Sequence, residues 1–207
     1  MAKGILARKL GMTRIFDDEG RSVPVTILRA GPCAVVQVKT VDNDDYSAVQ
    51  LGFEEIQPKR LGRAERGHFE KRKIAPHRII QEFRDVDAEM AIGTVVNAGI
   101  FEVGESVRIS GISKGKGFQG GMKRHGFHGG RASHGSKFHR EIGSLNSSAY
   151  PSRVFKGKKM PGRMGCDKVT LTKVKVMGID VEKNIILIKG PVPGSISSLV
   201  RIEAKKL

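Results

Sequence analysis

Short apolar runs punctuated by turn formers recur at both ends of this chain. Residues 4–9, 13–16 and 23–28 are the first three, the latter two separated by Asp17-Asp18-Glu19-Gly20, a dense turn signal. Gly31-Pro32 precedes a run at 34–39, and the polar stretch 42–45 precedes one at 47–53. Later, residues 169–176 and 185–189 flank Glu182-Lys183-Asn184, and Gly190-Pro191-Val192-Pro193-Gly194 breaks the chain before 199–203. Runs of this length and spacing predict about seven short strands, the pattern of a small antiparallel barrel or sandwich.

Composition points the same way. Ile and Val number 37 together against 10 Leu. β-Branched side chains are stiff at χ1 and pack well on a pleated surface, so a mostly β core is expected. Residues 58–84 interrupt the strands. Short helices are expected at 61–73 and 76–84, the second opening at Pro76, a residue favoured at the first helical position.

Residues 111–168 break the pattern altogether. These 58 residues hold 13 Gly, 13 Lys and Arg, and two acids, Glu141 and Asp167, so +11 of the chain's +16 net charge lies here. Leu, Ile, Val and Phe number only 8 in the segment, below the roughly 20% a buried core requires. The segment is expected not to fold as a domain of its own but to be ordered by a partner that neutralises it. Charge this concentrated implies a polyanion. Lys59, Arg60, Arg63, Arg66, Lys71, Arg72 and Lys73 form a second basic cluster. Beside the first, it is expected as another contact to the same partner rather than a merely solvated face.

Several chemistries are excluded. No uncharged stretch approaches the roughly 18 apolar residues of a membrane helix. Met1-Ala2-Lys3-Gly4-Ile5-Leu6-Ala7-Arg8 carries charge too early for a signal peptide, so a soluble cytosolic protein is expected. Cys33 and Cys166 lie too far apart to suggest a disulfide framework or a CxxC metal site. Gly115-Lys116-Gly117-Phe118-Gln119-Gly120 matches GxGxxG, but Gly121, Gly126, Gly129, Gly130 and Gly135 follow, a density that breaks the helix a dinucleotide site requires. His125, His128, His134 and His139 sit among Lys and Arg on a glycine-rich frame, which suits nucleic acid better than a metal cation. No nucleophile elbow, Cys–His pair or paired carboxylates are present, so catalysis, cofactors and small-molecule substrates are not expected.

The basic segment combines cations for phosphates, glycines for close backbone approach and rings for stacking. Phe118, Phe127, Phe138, Tyr150 and Phe155 are five of the chain's eleven aromatics. With no local core, they are expected to meet bases or to pack where the loop folds back. Nothing in the segment has the length of a groove-reading helix, so an extended RNA-threading loop is expected rather than a DNA-recognition module.

Here the residues resemble a known family. Gly11-Met12-Thr13, Pro24-Val25-Thr26, Gln50-Leu51-Gly52-Phe53 and Gly67-His68-Phe69 are similar to successive stretches of the universal large-subunit ribosomal protein L3 family, bacterial type. The strongest stretches are Ser113-Lys114-Gly115-Lys116-Gly117-Phe118-Gln119-Gly120, Arg131-Ala132-Ser133-His134-Gly135-Ser136 and Val154-Phe155-Lys156-Gly157-Lys158-Lys159-Met160. They follow the family order over nearly the whole chain.

The resemblance implies a mostly β fold: a six-stranded closed, Greek-key-like barrel of translation-factor type, with a small helical insert and a long basic extended loop. Its expected parts are a first barrel half (1–57), a basic helical insert (58–92), barrel strands (93–112), a glycine-rich extension threading RNA (113–167) and a second barrel half (168–207). The implied partners are large-subunit ribosomal RNA, bound near its 3′ end early in assembly, and neighbouring large-subunit proteins, without a membrane. Influence on elongation factors through the sarcin–ricin region is also implied.

Candidate RNA contacts in the insert are Lys59, Arg60, Arg63, Arg66, His68, Lys71 and Arg72. In the extension they are Lys114, Lys116, Phe118, Lys123, Arg124, His125, His128, Arg131, His134, Lys137, His139, Arg140, Arg153, Lys156, Lys158, Lys159 and Arg163. Ser144, Leu145, Asn146 and Ser147 are the implied tip, approaching the peptidyl transferase centre. Some members carry a methylated glutamine at the tip, whereas no glutamine follows Gln119 here. The alternative from another class is a free RNA chaperone that joins no stable particle.

Overall fold

A computed structural model describes residues 3–84 and 90–204. Residues 85–89 of the expected insert, and the first two and last three residues of the expected barrel halves, lie outside the described residues. The elements in chain order are β1 (Gly4–Phe16), β2 (Ser22–Ala30), β3 (Cys33–Lys39), α1 (Val41–Asp44), β4 (Ala48–Glu55), α2 (Arg63–Glu70), β5 (His77–Arg84) and β6 (Val95–Val96). They continue with β7 (Ser106–Ile112), β8 (Gly117–Gln119), α3 (Gly121–His125), β9 (Gly162–Met164), β10 (Lys168–Asp180), β11 (Ile185–Lys189) and β12 (Leu199–Ala204). Two compact units result: Met1–Ile112 with Lys168–Leu207, and Ser113–Asp167.

In the first unit six antiparallel strands close a barrel in the order β1-β12-β7-β10-β11-β2. Closure leaves no unpaired edge in the barrel. Period-2 alternation sets which side chains fill it. In β11 the alternate residues Ile186 and Ile188 are fully buried, as are Val200 and Ile202 in β12.

The two runs expected at 4–9 and 13–16 are one strand, β1, whose register against β2 shifts between Lys9 and Gly11. A bulge there inserts one residue without ending the pairing. Lys9 is buried, and its ammonium donates to the carbonyls of Val192 (2.7 Å) and Gly194 (3.3 Å). The hairpin turn is tied by Asp17, whose carboxylate accepts from the backbone N–H groups of Glu19 (3.2 Å) and Arg21 (2.7 Å).

Two expectations are corrected. Residues 34–39 and 47–53 are strands, as expected, but they do not enter the barrel. β3 and β4 form a separate four-stranded sheet in the order β5-β4-β3-β6. This sheet shares one core with the barrel: Cys33, Val35, Phe53 and Phe83 belong to the same buried cluster as Ile5, Ile109 and Ile202. Alternation marks a strand's inward face but not which sheet it joins. Second, the helix expected at 76–84 is the strand β5, with His77 and Phe83 buried and Ile79 half-buried at alternate positions. The helix expected at 61–73 is shorter, α2.

The second unit has little regular structure: the two-stranded ribbon β8-β9 and the single turn of α3. Its ends leave from Ile112 and Lys168, which are register partners in β7 and β10. Gly121 is the one buried residue among 113–167.

Candidate nucleic-acid interface

Each unit carries part of the basic surface. In the first unit, Lys59 and Arg60 lie on a single 3-10 turn, Pro58–Arg60. Arg63, Arg66 and His68 lie on α2, and Lys71 and Arg72 follow its end. Lys59, Arg60, Arg63 and Lys71 are exposed. Arg66 donates to the Pro58 carbonyl (3.0 Å) and Arg72 to the His68 carbonyl (3.1 Å), which fixes these two guanidinium groups to the insert.

Arg72 also approaches His68 Nδ1 at 3.2 Å. A guanidinium can only donate, so Nδ1 accepts and the imidazole proton resides on Nε2. Burial, and after it the Arg72 charge, holds His68 below its ordinary pKa. His68 Nε2 and Arg66 Nε are buried without a partner among the described residues.

A basic cleft in the same unit was not legible in the sequence. Arg29, Lys73, His77 and Lys183 line a space of about 620 Å³ together with Glu54 and Glu55. Glu54 is held below the usual carboxylate range, first by its hydrogen bonds from Arg8, at 2.8 Å to each oxygen. Lys73 belongs to the cluster read from the sequence. Arg29 comes from the end of β2 and Lys183 from the turn between β10 and β11, neither of them part of a basic cluster in the sequence.

In the second unit Lys114 and Lys116 precede β8, Phe118 lies on β8 and Arg163 on β9, and Lys123, Arg124 and His125 lie on α3. His128, Arg131, His134, Lys137, His139, Arg140, Arg153, Lys156, Lys158 and Lys159 are in irregular segments, all exposed. Among the described residues no ion pair involves 113–167, although this span carries 12 Lys and Arg. Two cations are engaged otherwise: Arg124 donates to the Met160 carbonyl (2.9 Å), and Arg153 lies 5.8 Å from the Phe155 ring centroid. His125 Nε2 also donates to the Met160 carbonyl at 2.9 Å.

Unpaired cations on an open backbone repel one another, and a polyanion removes that repulsion. Among the described residues no three His, Cys, Asp or Glu converge as metal ligands.

Some glycines serve the loop itself rather than close approach to a partner. A β-carbon at Gly130 would collide with the Phe138 carbonyl, and one at Gly165 with the Lys114 carbonyl. Gly130 also donates to the His139 carbonyl at 3.1 Å. The rings divide in the same way. Phe127 packs beside Gly121 and lies 5.9 Å from the His125 ring, and Phe138 packs beside Gly130 and Gly143. Phe118, Tyr150 and Phe155 are 77%, 88% and 60% exposed. At the implied tip, the Ser144 hydroxyl donates to the Asn146 carbonyl (2.8 Å) and Asn146 Oδ1 accepts from Ser148 N–H (3.3 Å), a self-contained polar turn.

Comparison with known proteins finds relatives along nearly the whole chain. The family model described as ribosomal protein L3 matches residues 76–183. The large ribosomal subunit protein uL3 of Carboxydothermus hydrogenoformans is 50% identical over 205 residues, covering 98% of this chain and 97% of the relative. That of Desulforudis audaxviator is 52% identical, covering 99% and 96%. That of Bacillus cytotoxicus is 49% identical, covering 98% and 97%.

Proposed function

The chain belongs to the ribosomal protein L3 family, and we propose that it is a structural protein of the large ribosomal subunit, working in the cytoplasm, whose basic surface binds large-subunit RNA. One observation carries the RNA reading: among the described residues, 113–167 bury none of their apolar side chains and pair none of their 12 Lys and Arg with an acid. Such a segment gains its order by neutralising its charge against phosphates. The barrel, with its continuous core, holds the two ends of that segment at Ile112 and Lys168.

In this reading the insert cations, from Lys59 to Arg72, and the extension cations, from Lys114 to Arg163, make the RNA contacts. The site of binding is near the 3′ end of the RNA, binding is early in assembly, and Ser144, Leu145, Asn146 and Ser147 come closest to the peptidyl transferase centre. The tip shapes RNA around that centre and takes no part in bond formation. Neighbouring large-subunit proteins are further partners. The features that support these finer points are the order of the family-like stretches and the absence of any chemically reactive cluster in the tip turn.

Sucrose-gradient sedimentation of tagged protein from cells tests the reading. A structural component stays with the large subunit through a high-salt wash. Recovery at the top of the gradient after the wash is the behaviour of a free RNA chaperone and overturns it.

A further inference from the structure

Resting on the reading that the second unit binds RNA, we propose that Phe118 with Arg163, and Phe155 with Arg153, are two seats for single unpaired nucleotides. In each, the ring stacks on a base and the guanidinium meets an adjoining phosphate.

The argument begins from the division of the rings. Phe127 and Phe138 are used within the loop, whereas Phe118 and Phe155 stay 77% and 60% exposed. A phenyl ring left in water on a segment without a core is available to a ligand. Phe118 and Arg163 are register partners in the β8-β9 ribbon. Directly opposed residues project from the same face, with β-carbons about 5 Å apart. The Arg163 side chain makes no hydrogen bond, ion pair or ring contact among the described residues, so its guanidinium donors are free for a ligand at this register position. The second pair forms within one short irregular stretch: the Arg153 guanidinium lies 5.8 Å from the Phe155 centroid.

A ring beside a cation fits a nucleotide in particular. Every base has a π-face that stacks on an aromatic side chain whatever the sequence, and the phosphate beside it is anionic. In a regular duplex the base faces are already stacked on each other, and side chains reach only edges, sugars and phosphates. The ligand at these seats is therefore an unpaired nucleotide in a loop, bulge or junction. A protein partner is disfavoured by the excess of 12 Lys and Arg over two acids in the unit.

The test uses the full-length chain and two probes: a fluorescein-labelled adenylate dodecamer carrying one 2-aminopurine, and a 12-base-pair RNA duplex. The variants are Phe118→Ala, Phe155→Ala, their combination, and Phe→Tyr at both positions. Each alanine should weaken dodecamer binding about 5- to 150-fold. The tyrosines should retain affinity, the salt slope should stay unchanged, and duplex binding should not move. The wild type should quench 2-aminopurine and the double alanine variant should not.

Three results overturn the inference. If the double alanine variant binds the dodecamer within twofold of wild type, the rings are idle, or serve a protein instead. If it loses dodecamer and duplex binding equally, the rings shape the loop and do not stack. If the wild type binds neither probe, the RNA reading itself falls with it. Far-ultraviolet circular dichroism of each variant confirms the fold, which neither ring touches through the core.

Discussion

The Phe83 ring fills the space above Gly4 in which any larger residue would place its side chain: a β-carbon there would stand 2.7 Å from Phe83 Cε1. The ring is buried, and the Arg201 guanidinium lies 4.2 Å from its centroid. Gly4 begins β1 of the barrel and Phe83 lies on β5 of the second sheet, so this contact joins the two layers of the shared core.

Gly4→Ala is therefore an overpacking change, expected to cost about 1–3 kcal/mol. Phe83→Leu gives the added methyl room, so the double variant should be destabilised by less than the sum of the two single effects. Urea unfolding of the four proteins measures this. Simple additivity would mean that ring and glycine do not share the space.

The second sheet has its own polar anchor. Glu82 accepts from Lys39 at 2.9 Å, from Gln50 at 2.8 Å and from the Tyr46 hydroxyl at 3.1 Å. Lys39 first, then Gln50, draw the Glu82 pKa down to about 2 from an ordinary 4.5. A carboxylate depressed in the folded state contributes stability that is complete above its unfolded pKa and disappears as pH falls through the folded one. The advantage of wild type over Glu82→Gln should thus be constant above about pH 5.5 and shrink between about pH 4.5 and 2. Equilibrium unfolding across that range checks it, and a difference independent of pH would show that the carboxylate charge is not used.

Much of the fold was legible because alternation is a local signal. Ile186 and Ile188, or Val200 and Ile202, announce a strand and its inward face without any knowledge of its neighbours. The assignment of β3 and β4 to a second sheet was not legible, since it depends on contacts such as Gly4 with Phe83 that no local pattern encodes. From the sequence β5 reads as a helix because Pro76 supplies a helix-start signal. The alternate positions of His77, Ile79 and Phe83 carried the correct period within the same residues.

The candidate site divides likewise. The charge of the extension was plain from composition, and the Phe118–Arg163 pairing was hidden by 44 residues of intervening sequence. The cleft lined by Arg29, Lys73 and Lys183 was hidden for the same reason.

Lys156, Lys158 and Lys159 are exposed and make no ion pair among the described residues. Replacing all three by Gln should weaken binding to large-subunit RNA and flatten its dependence on salt. Each phosphate that no longer meets a cation lowers the log–log slope by about 0.7–0.9. Thermal unfolding should be unaffected, since none of the three packs on the core. Filter binding over a salt series measures the slope, and an unchanged value would class these lysines as solvated surface.

The final prediction concerns excision of the extension. Ile112 and Lys168 are Cα partners at the ends of β7 and β10, and directly opposed Cα atoms in an antiparallel pair are about 4.5–5.5 Å apart. A gap that small is closed by a tight turn of about two residues such as Asn-Gly. Replacing 113–167 by that turn removes no buried apolar side chain, because Gly121 is the one buried residue in the span. It also shortens the loop that folding must close from 55 residues to about two, where the entropy term favours the short form by up to about 3 kcal/mol. The shortened chain should unfold cooperatively, at a melting temperature equal to or above that of the full chain. Its affinity for large-subunit RNA should fall to that of the insert surface alone, with a much flatter salt dependence. Calorimetry and filter binding on the same preparation separate the two effects. Loss of the cooperative transition would show that the barrel needs the extension to fold, and that residues 113–167 belong to the core architecture rather than to the RNA.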